Sequence, residues 1–221
     1  MSTWNQLLVQ YPRFADTLVR SEDARLLTVE ELCSAEVIST VVAKGREIFG
    51  IDQDKHAAQL WFHTLCNGLV GPSVAAMVEF EAIPNLDIAQ GELHSVDGFW
   101  FGFRPCDFDV PGSSFEEAGR QFGRSIAPVI DALCEVSGLR PAPLWAVASD
   151  SLGLNASGAG VEAFEEEHAR VVATELIAGV NQVREVPTPR FDEGDYFRRA
   201  GCCMIFHSPR ADFCTSCPQK R

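Results

Sequence analysis

Residues 54–69, DKHAAQLWFHTLCNGL, decide the fold class of this chain. Ala57, Leu60, Trp61, Thr64, Leu65 and Gly68 recur at three- and four-residue intervals and form one apolar stripe, the period of a helix. Gly68 and Gly71 mark its expected end. Towards the N-terminus, Thr28 followed by Glu31 fits a capping box that opens a helix through Leu32, Val37, Ile38, Val41 and Val42 towards Gly45. Trp4, Leu7, Leu8 and Tyr11 begin a shorter amphipathic segment that Pro12 interrupts. On the other side the texture changes. Leu93–Val96 and Phe99–Phe103 flank Asp97-Gly98, a type I′ hairpin signal, and Val74–Phe80 is expected to add a third strand.

Helical pattern then resumes. Ser113 with Glu116, or Ser114 with Glu117, caps a segment carrying Phe115, Ala118, Phe122, Ile126, Val129 and Leu133, which Pro128 should kink or end. Pro143 suits the first turn of a helix over Leu144–Leu154, Asn155–Gly160 reads as a loop, and Glu162 to about Val183 reads as a long helix with Arg184 at its end. Pro187 and Pro189 stop helical structure. The expected fold is α+β and mainly α: a helix-rich body over residues 1–189 with a small central antiparallel hairpin or sheet, then a metal-binding segment over residues 190–221.

The 221 residues are 46% apolar and 22% charged, enough to bury a core without a metal or disulfide staple. A metal here therefore serves function rather than rescuing a small fold. The net charge of −13 argues against nucleic acid or an anionic membrane as partner, since both are bound through Lys and Arg. The tail departs from that balance: Arg190, Arg198, Arg199, Arg210, Lys220 and Arg221 outnumber its four acidic residues. A mildly basic end on an acidic body either orients an anionic ligand or redox partner or simply solubilises the surface. The N-terminus lacks a basic start and apolar h-region, and no run approaches the roughly 18 apolar residues of a membrane span. The expectation is a cytoplasmic protein whose eight cysteines are metal ligands or buried apolar residues rather than disulfides.

Four of the eight cluster at the end: Cys202-Cys203, ten residues, then Cys214-Thr215-Ser216-Cys217. A two-residue spacer lets a tight turn aim both thiolates of Cys214 and Cys217 at one centre, and Pro218 helps to hold the knuckle. Adjacent cysteines are less usual. Their side chains point apart in an extended chain, so closing both pairs on one zinc needs a strained turn, whereas two irons spread four ligands over a larger object. Geometry favours iron–sulfur over zinc without deciding the matter.

The run Phe197-Arg198-Arg199-Ala200-Gly201-Cys202-Cys203-Met204-Ile205-Phe206, the ten-residue spacer and Cys214-Thr215-Ser216-Cys217-Pro218 resemble the C-terminal signature of the FhuF-like ferric-siderophore reductases. The resemblance is specific over about Tyr196 to Pro218, with Phe206 and Arg210 as loose counterparts of family residues between the pairs. Thr215-Ser216 departs from a Gly-Asp common in the family, which bears on hydrogen bonds to the sulfurs. What the resemblance implies is a 2Fe–2S cluster on Cys202, Cys203, Cys214 and Cys217, and one-electron transfer to a ferric siderophore of hydroxamate type. Arg198, Arg199 and Arg210 are then candidates for tuning the potential or orienting the substrate, and equally for plain solvated charges. With no nucleotide fingerprint or phosphate loop in the sequence, electrons are expected from a donor protein such as a ferredoxin or flavin reductase, or from a small reductant.

Two alternatives stay open at this point. One is a structural or interaction protein whose cysteines hold zinc; the other is an iron–sulfur carrier or sensor without a siderophore site. Among the remaining residues, His207 lies between the cysteine pairs as a candidate Rieske-like ligand or a surface residue. His56, His63 and Cys66 share one predicted helix, where packing is the ordinary role. Cys33, Cys106 and Cys134 are expected to be buried, and the aromatic strands around Trp100 to pack the core or floor a siderophore pocket.

Overall fold

The computed structural model describes residues 2–106, 113–185, 189–191 and 197–220. Pro187 and Tyr196, which the sequence singled out as a stop signal and as the start of the tail motif, lie outside the described residues. Eight helices follow in chain order among them: α1 (Thr3–Gln10), α2 (Ala15–Leu18), α3 (Val29–Leu32), α4 (Ala35–Phe49), α5 (Asp54–Phe80), α6 (Phe115–Ser137), α7 (Pro141–Ala163) and α8 (Glu166–Val183). Strands β1 (Leu26–Leu27), β2 (Gly91–Ser95) and β3 (Phe101–Pro105) form an antiparallel sheet in that order, and β4 (Arg190–Phe191) pairs with β5 (Phe197–Arg198). The α+β, mainly α class read from the sequence is the class observed.

Helix α5 is the axis of the body. It packs on α4, α7 and β3, and its buried residues include Ala57, Ala58, Gln59, Leu60, Trp61 and Phe62 in succession. A helix enclosed on every side loses its polar face, so its sequence becomes a continuous apolar run. That is why Val74–Phe80, expected as a strand, is the last part of α5. Gly68 and Gly71 do not end the helix either; they allow close approach, and Pro72 is absorbed inside it. Helix α7 repeats the lesson. Pro141 rather than Pro143 starts it, and Asn155–Gly160, expected as a loop, is helical with Ala156 and Ala159 buried.

The caps behave locally as their side chains dictate. Thr28 and Glu31 form the reciprocal capping box, but the helix they open is a single turn, and Ser34 caps α4 afresh by accepting from Val37 N. Of the two caps considered for α6, Ser114 holds Glu117 N, and the helix continues through Pro128 to Ser137. The helix expected from Glu162 starts later: Glu162 belongs to α7, Phe164 at φ +58 ends that helix, and α8 begins at Glu166. Helices α6 and α8 meet backbone to backbone, since a Cβ on Gly119 would lie 2.0 Å from Leu176 O and one on Gly179 2.0 Å from Glu116 O.

The hairpin is present with a different turn. Leu93 pairs with Phe103 and Ser95 with Phe101, and Val96 N donates to Trp100 O at 2.9 Å, leaving Asp97, Gly98 and Phe99 as the connection. Gly98 takes φ +84, and the Asp97 carboxylate accepts from Phe99 N and Trp100 N. Burial explains the extra residue. Phe99 is fully buried beside Gly45 and Phe49, so it leaves the strand to reach the core.

Candidate functional site

The tail lies against the body through three sets of hydrogen bonds. Gln59, buried on α5, donates to Cys202 O at 2.7 Å. Asp150, buried on α7, accepts from Ala200 N at 2.8 Å and Gly201 N at 2.6 Å, which fixes the chain just before the adjacent cysteines. Between the cysteine pairs, Ser208 Oγ donates to Phe49 O, and Arg210 donates to Ile48 O and Glu47 O. These are the last carbonyls of α4, which have no partner within their own helix.

Cys202, Cys203 and Cys217 are buried and Cys214 partly so; all four are free thiols. Met204 adopts φ +63, an uncommon conformation for a residue with a side chain, and its N–H donates to Cys202 Sγ at 3.4 Å. The chain thus turns sharply directly after the adjacent cysteines. At the other pair Cys217 N donates to Cys214 O at 3.1 Å, closing the knuckle. Cys203 Sγ and Cys214 Sγ stand 3.9 Å apart. Two thiolates on one tetrahedral centre, each about 2.3 Å from it, would be about 3.8 Å apart.

Arg199 is the polar centre of this arrangement. It is 5% exposed, its guanidinium contacts Cys203 Sγ at 3.8 Å and Cys214 Sγ more closely, and its Nε donates to Ser216 O at 3.4 Å. One fork thus spans both cysteine pairs. Burial works against its charge, but Cys203, Cys214 and Asp150 outweigh that and hold its pKa above the ordinary value. Burial pushes the Cys202 thiol up to about 11 against the Met204 N–H, and the Cys214 thiol up to about 12 against Arg199; the neighbouring cysteines add to both. Thiols of this kind become ligands when a metal cation displaces their protons.

The donor set fits a cluster. Sulfurs from both pairs lie close enough to feel one another's charge, a buried cation faces them, and among the described residues no carboxylate or imidazole takes a ligand place. Among the described residues no three His, Cys, Asp or Glu side chains are grouped as ligands of a single ion. A buried guanidinium against the sulfurs is suited to a group that carries net negative charge with thiolate ligands.

The other residues singled out in the sequence fall elsewhere. Arg198 is exposed on β5, and Arg210 is seated on the end of α4. His207 is exposed and its ring stacks on His56 at 3.7 Å between centroids. Cys66 is buried with its thiol pKa raised by burial, but Cys33 and Cys134 are half-buried and Cys106 is exposed, against expectation. Each of these three lies near the end of its element, at the rim of the core. His63 is brought near Arg199; burial first, and that charge second, lower its pKa to about 4. Asp150 and Gln59 were not picked out from sequence, although Gln59 is a lone polar residue in a buried apolar run and Asp150 the one charged residue of its buried run, where a polar side chain must have a partner.

The geometry is that of a thiolate metal centre built from the tail. Residues 199–219 match the family model described as FhuF 2Fe-2S C-terminal domain, and the cofactor is a 2Fe–2S cluster. The match covers the tail and leaves the helical body unmatched. No match to a curated protein was found. Among the described residues no helix is long and apolar enough to cross a membrane.

Proposed function

We propose that this protein is a cytoplasmic ferric-siderophore reductase in which Cys202, Cys203, Cys214 and Cys217 hold the 2Fe–2S cluster. The tail, residues 190–221, supplies the electron and the body, residues 1–189, receives the chelate. The cluster supplies one electron at a time, taken from a donor protein such as a ferredoxin or flavin reductase. Hydroxamate oxygens hold hard Fe(III) tightly and Fe(II) far less so. One electron into the chelate converts Fe(III) to Fe(II), breaks no covalent bond of the chelator, and releases the metal.

The observation that carries this reading is the Arg199 fork across Cys203 and Cys214 within a match to a FhuF-type cluster domain. A buried cation stabilises the added electron, keeping the potential within reach of a biological donor. Asp150 and Gln59 hold the ligand-bearing turn still, which limits reorganisation as charge changes.

The test is anaerobic. Dithionite-reduced, desalted protein is mixed with a ferric trihydroxamate and a ferrous-specific chromogenic trap. One Fe(II) per cluster, with recovery of the oxidised visible spectrum, is expected; a cluster that stays reduced would refute the function. Single Cys→Ser replacements at the four positions should abolish cluster content, and those at Cys33 or Cys134 should not.

A further inference from the structure

A cavity of about 420 Å³ lies in the body, walled by the N-terminal segment, α5, the end of the hairpin and α7. Two helices lead from the cluster loop to it. On α5, Gln59 holds Cys202 O; His63 and Asn67, four and eight residues on, line the cavity, about 6 and 12 Å further along the helix. On α7, Asp150 holds Ala200 and Gly201, and Asn155 lines the cavity little more than one turn later.

The lining is specific in charge. Among the described residues no Asp or Glu faces the cavity; the cation there, Arg13, is paired with Glu162 at 2.6 Å, and burial keeps His63 neutral. A tris-hydroxamate of Fe(III) is itself neutral, because three monoanions cancel the metal. A tris-catecholate carries three negative charges, and the cation in this lining, Arg13, is already paired with Glu162.

The lining is also specific in hydrogen bonding. Thr17 and Thr64 spend their hydroxyl protons on Phe14 O and Trp61 O, so each presents only oxygen lone pairs. Asn155 Nδ2 donates to Asn67 Oδ1 and Ser151 O, which fixes the amide and leaves its Oδ1 as a free acceptor. Pro72 has no N–H, so Gly68 O lacks its helical donor, and both residues lie on the cavity wall. Acceptors predominate, with Trp100 and Phe101 as the apolar surface.

We infer that this cavity is the chelate site, and that it selects a charge-neutral metal complex whose ligand backbone offers N–H donors between methylene or aliphatic segments. The inference rests on the reductase reading for its physiological meaning, but binding can be measured without electron transfer. Gallium(III) matches ferric iron in charge and coordination and is not reduced under these conditions. The probe is therefore the gallium complex of a linear trihydroxamate with backbone amides, titrated calorimetrically into cluster-loaded full-length protein.

Wild type should bind this complex and not the gallium tris-catecholate. Thr64→Phe, which fills the cavity, should weaken binding by about tenfold or more, and Thr17→Val, which removes an acceptor at nearly constant shape, several-fold. The cluster spectrum should be unchanged in both variants. Unchanged affinity in Thr64→Phe, or no binding to wild type, overturns the inference. If wild type reduces the ferric complex and Thr64→Phe does so with the same KM, the site is elsewhere while the reductase reading stands. If the gallium complex binds in the cavity but wild type reduces no ferric trihydroxamate, the cavity inference stands and the reductase reading falls.

Discussion

Replacing Arg199 by glutamine removes a buried positive charge beside the sulfurs and should lower the reduction potential of the cluster. The guanidinium lies 3.8 Å from Cys203 Sγ, and iron lies about 2.3 Å beyond a thiolate sulfur, so charge and added electron are separated by about 6 Å. With an effective dielectric of about 20, the interaction is about 2.8 kcal/mol, or about 120 mV for one electron. Solvent screening takes little from this, because Arg199 is 5% exposed. The sign is fixed by charge: the reduced state is the more negative one and loses more when the cation goes. Arg199→Lys keeps the charge but not the fork, and should recover most of the shift. Arg210→Gln should move the potential far less, since that side chain is spent on the carbonyls of Ile48 and Glu47. The assay is a potentiometric titration followed by the paramagnetic signal of the reduced cluster. A shift under about 20 mV in Arg199→Gln with full cluster content, or equal shifts in the glutamine and lysine variants, would refute the electrostatic reasoning.

Three further outcomes follow from the packing around the tail. Asp150 is raised by burial to about 6 from an ordinary 3.8, so between those values the folded protein binds a proton that the unfolded chain releases. Stability from this group therefore falls as pH rises through that window, and by chemical denaturation Asp150→Asn should gain about 2 kcal/mol relative to wild type between about pH 4.5 and 7. Gln59→Leu leaves the buried Cys202 carbonyl without its donor, costing about 1–3 kcal/mol, and should be read as faster cluster loss to a strong iron chelator; unchanged loss would show the bond to be dispensable. Gly179→Ala forces α8 away from Glu116 O and should lower the melting temperature by more than Gly158→Ala, where a Cβ meets nothing within 4 Å.

The sequence disclosed helices where one face stays wet and failed where a helix is enclosed. Helix α6 keeps a polar face, and its apolar positions and cap at Ser114 were readable. Helices α5 and α7 are buried nearly all round, so their second halves imitated a strand and a loop. The hairpin was legible from Asp97-Gly98, but its turn was set by a distant demand, the burial of Phe99. At the site, the cysteine spacing disclosed a metal centre, because ligand geometry is local in the chain, and the resemblance of the tail implied which cofactor it holds. Asp150 and Gln59 meet residues 50 and 143 positions away, and the cavity takes walls from four separate segments. Such convergence leaves no short-range pattern to read.

The tie between residues 208–210 and the end of α4 bears on what happens after an oxidant destroys the cluster. The ten-residue span between the cysteine pairs is then not a free loop, because its middle remains pinned to the body. Each pair stays on a short tether from that pin, so the four sulfurs meet returning iron at high effective concentration. Most of the entropy of gathering the ligands has been spent by the protein surface in advance. Damage and rebuilding at this centre are thus confined to a few residues at the edge of an intact fold.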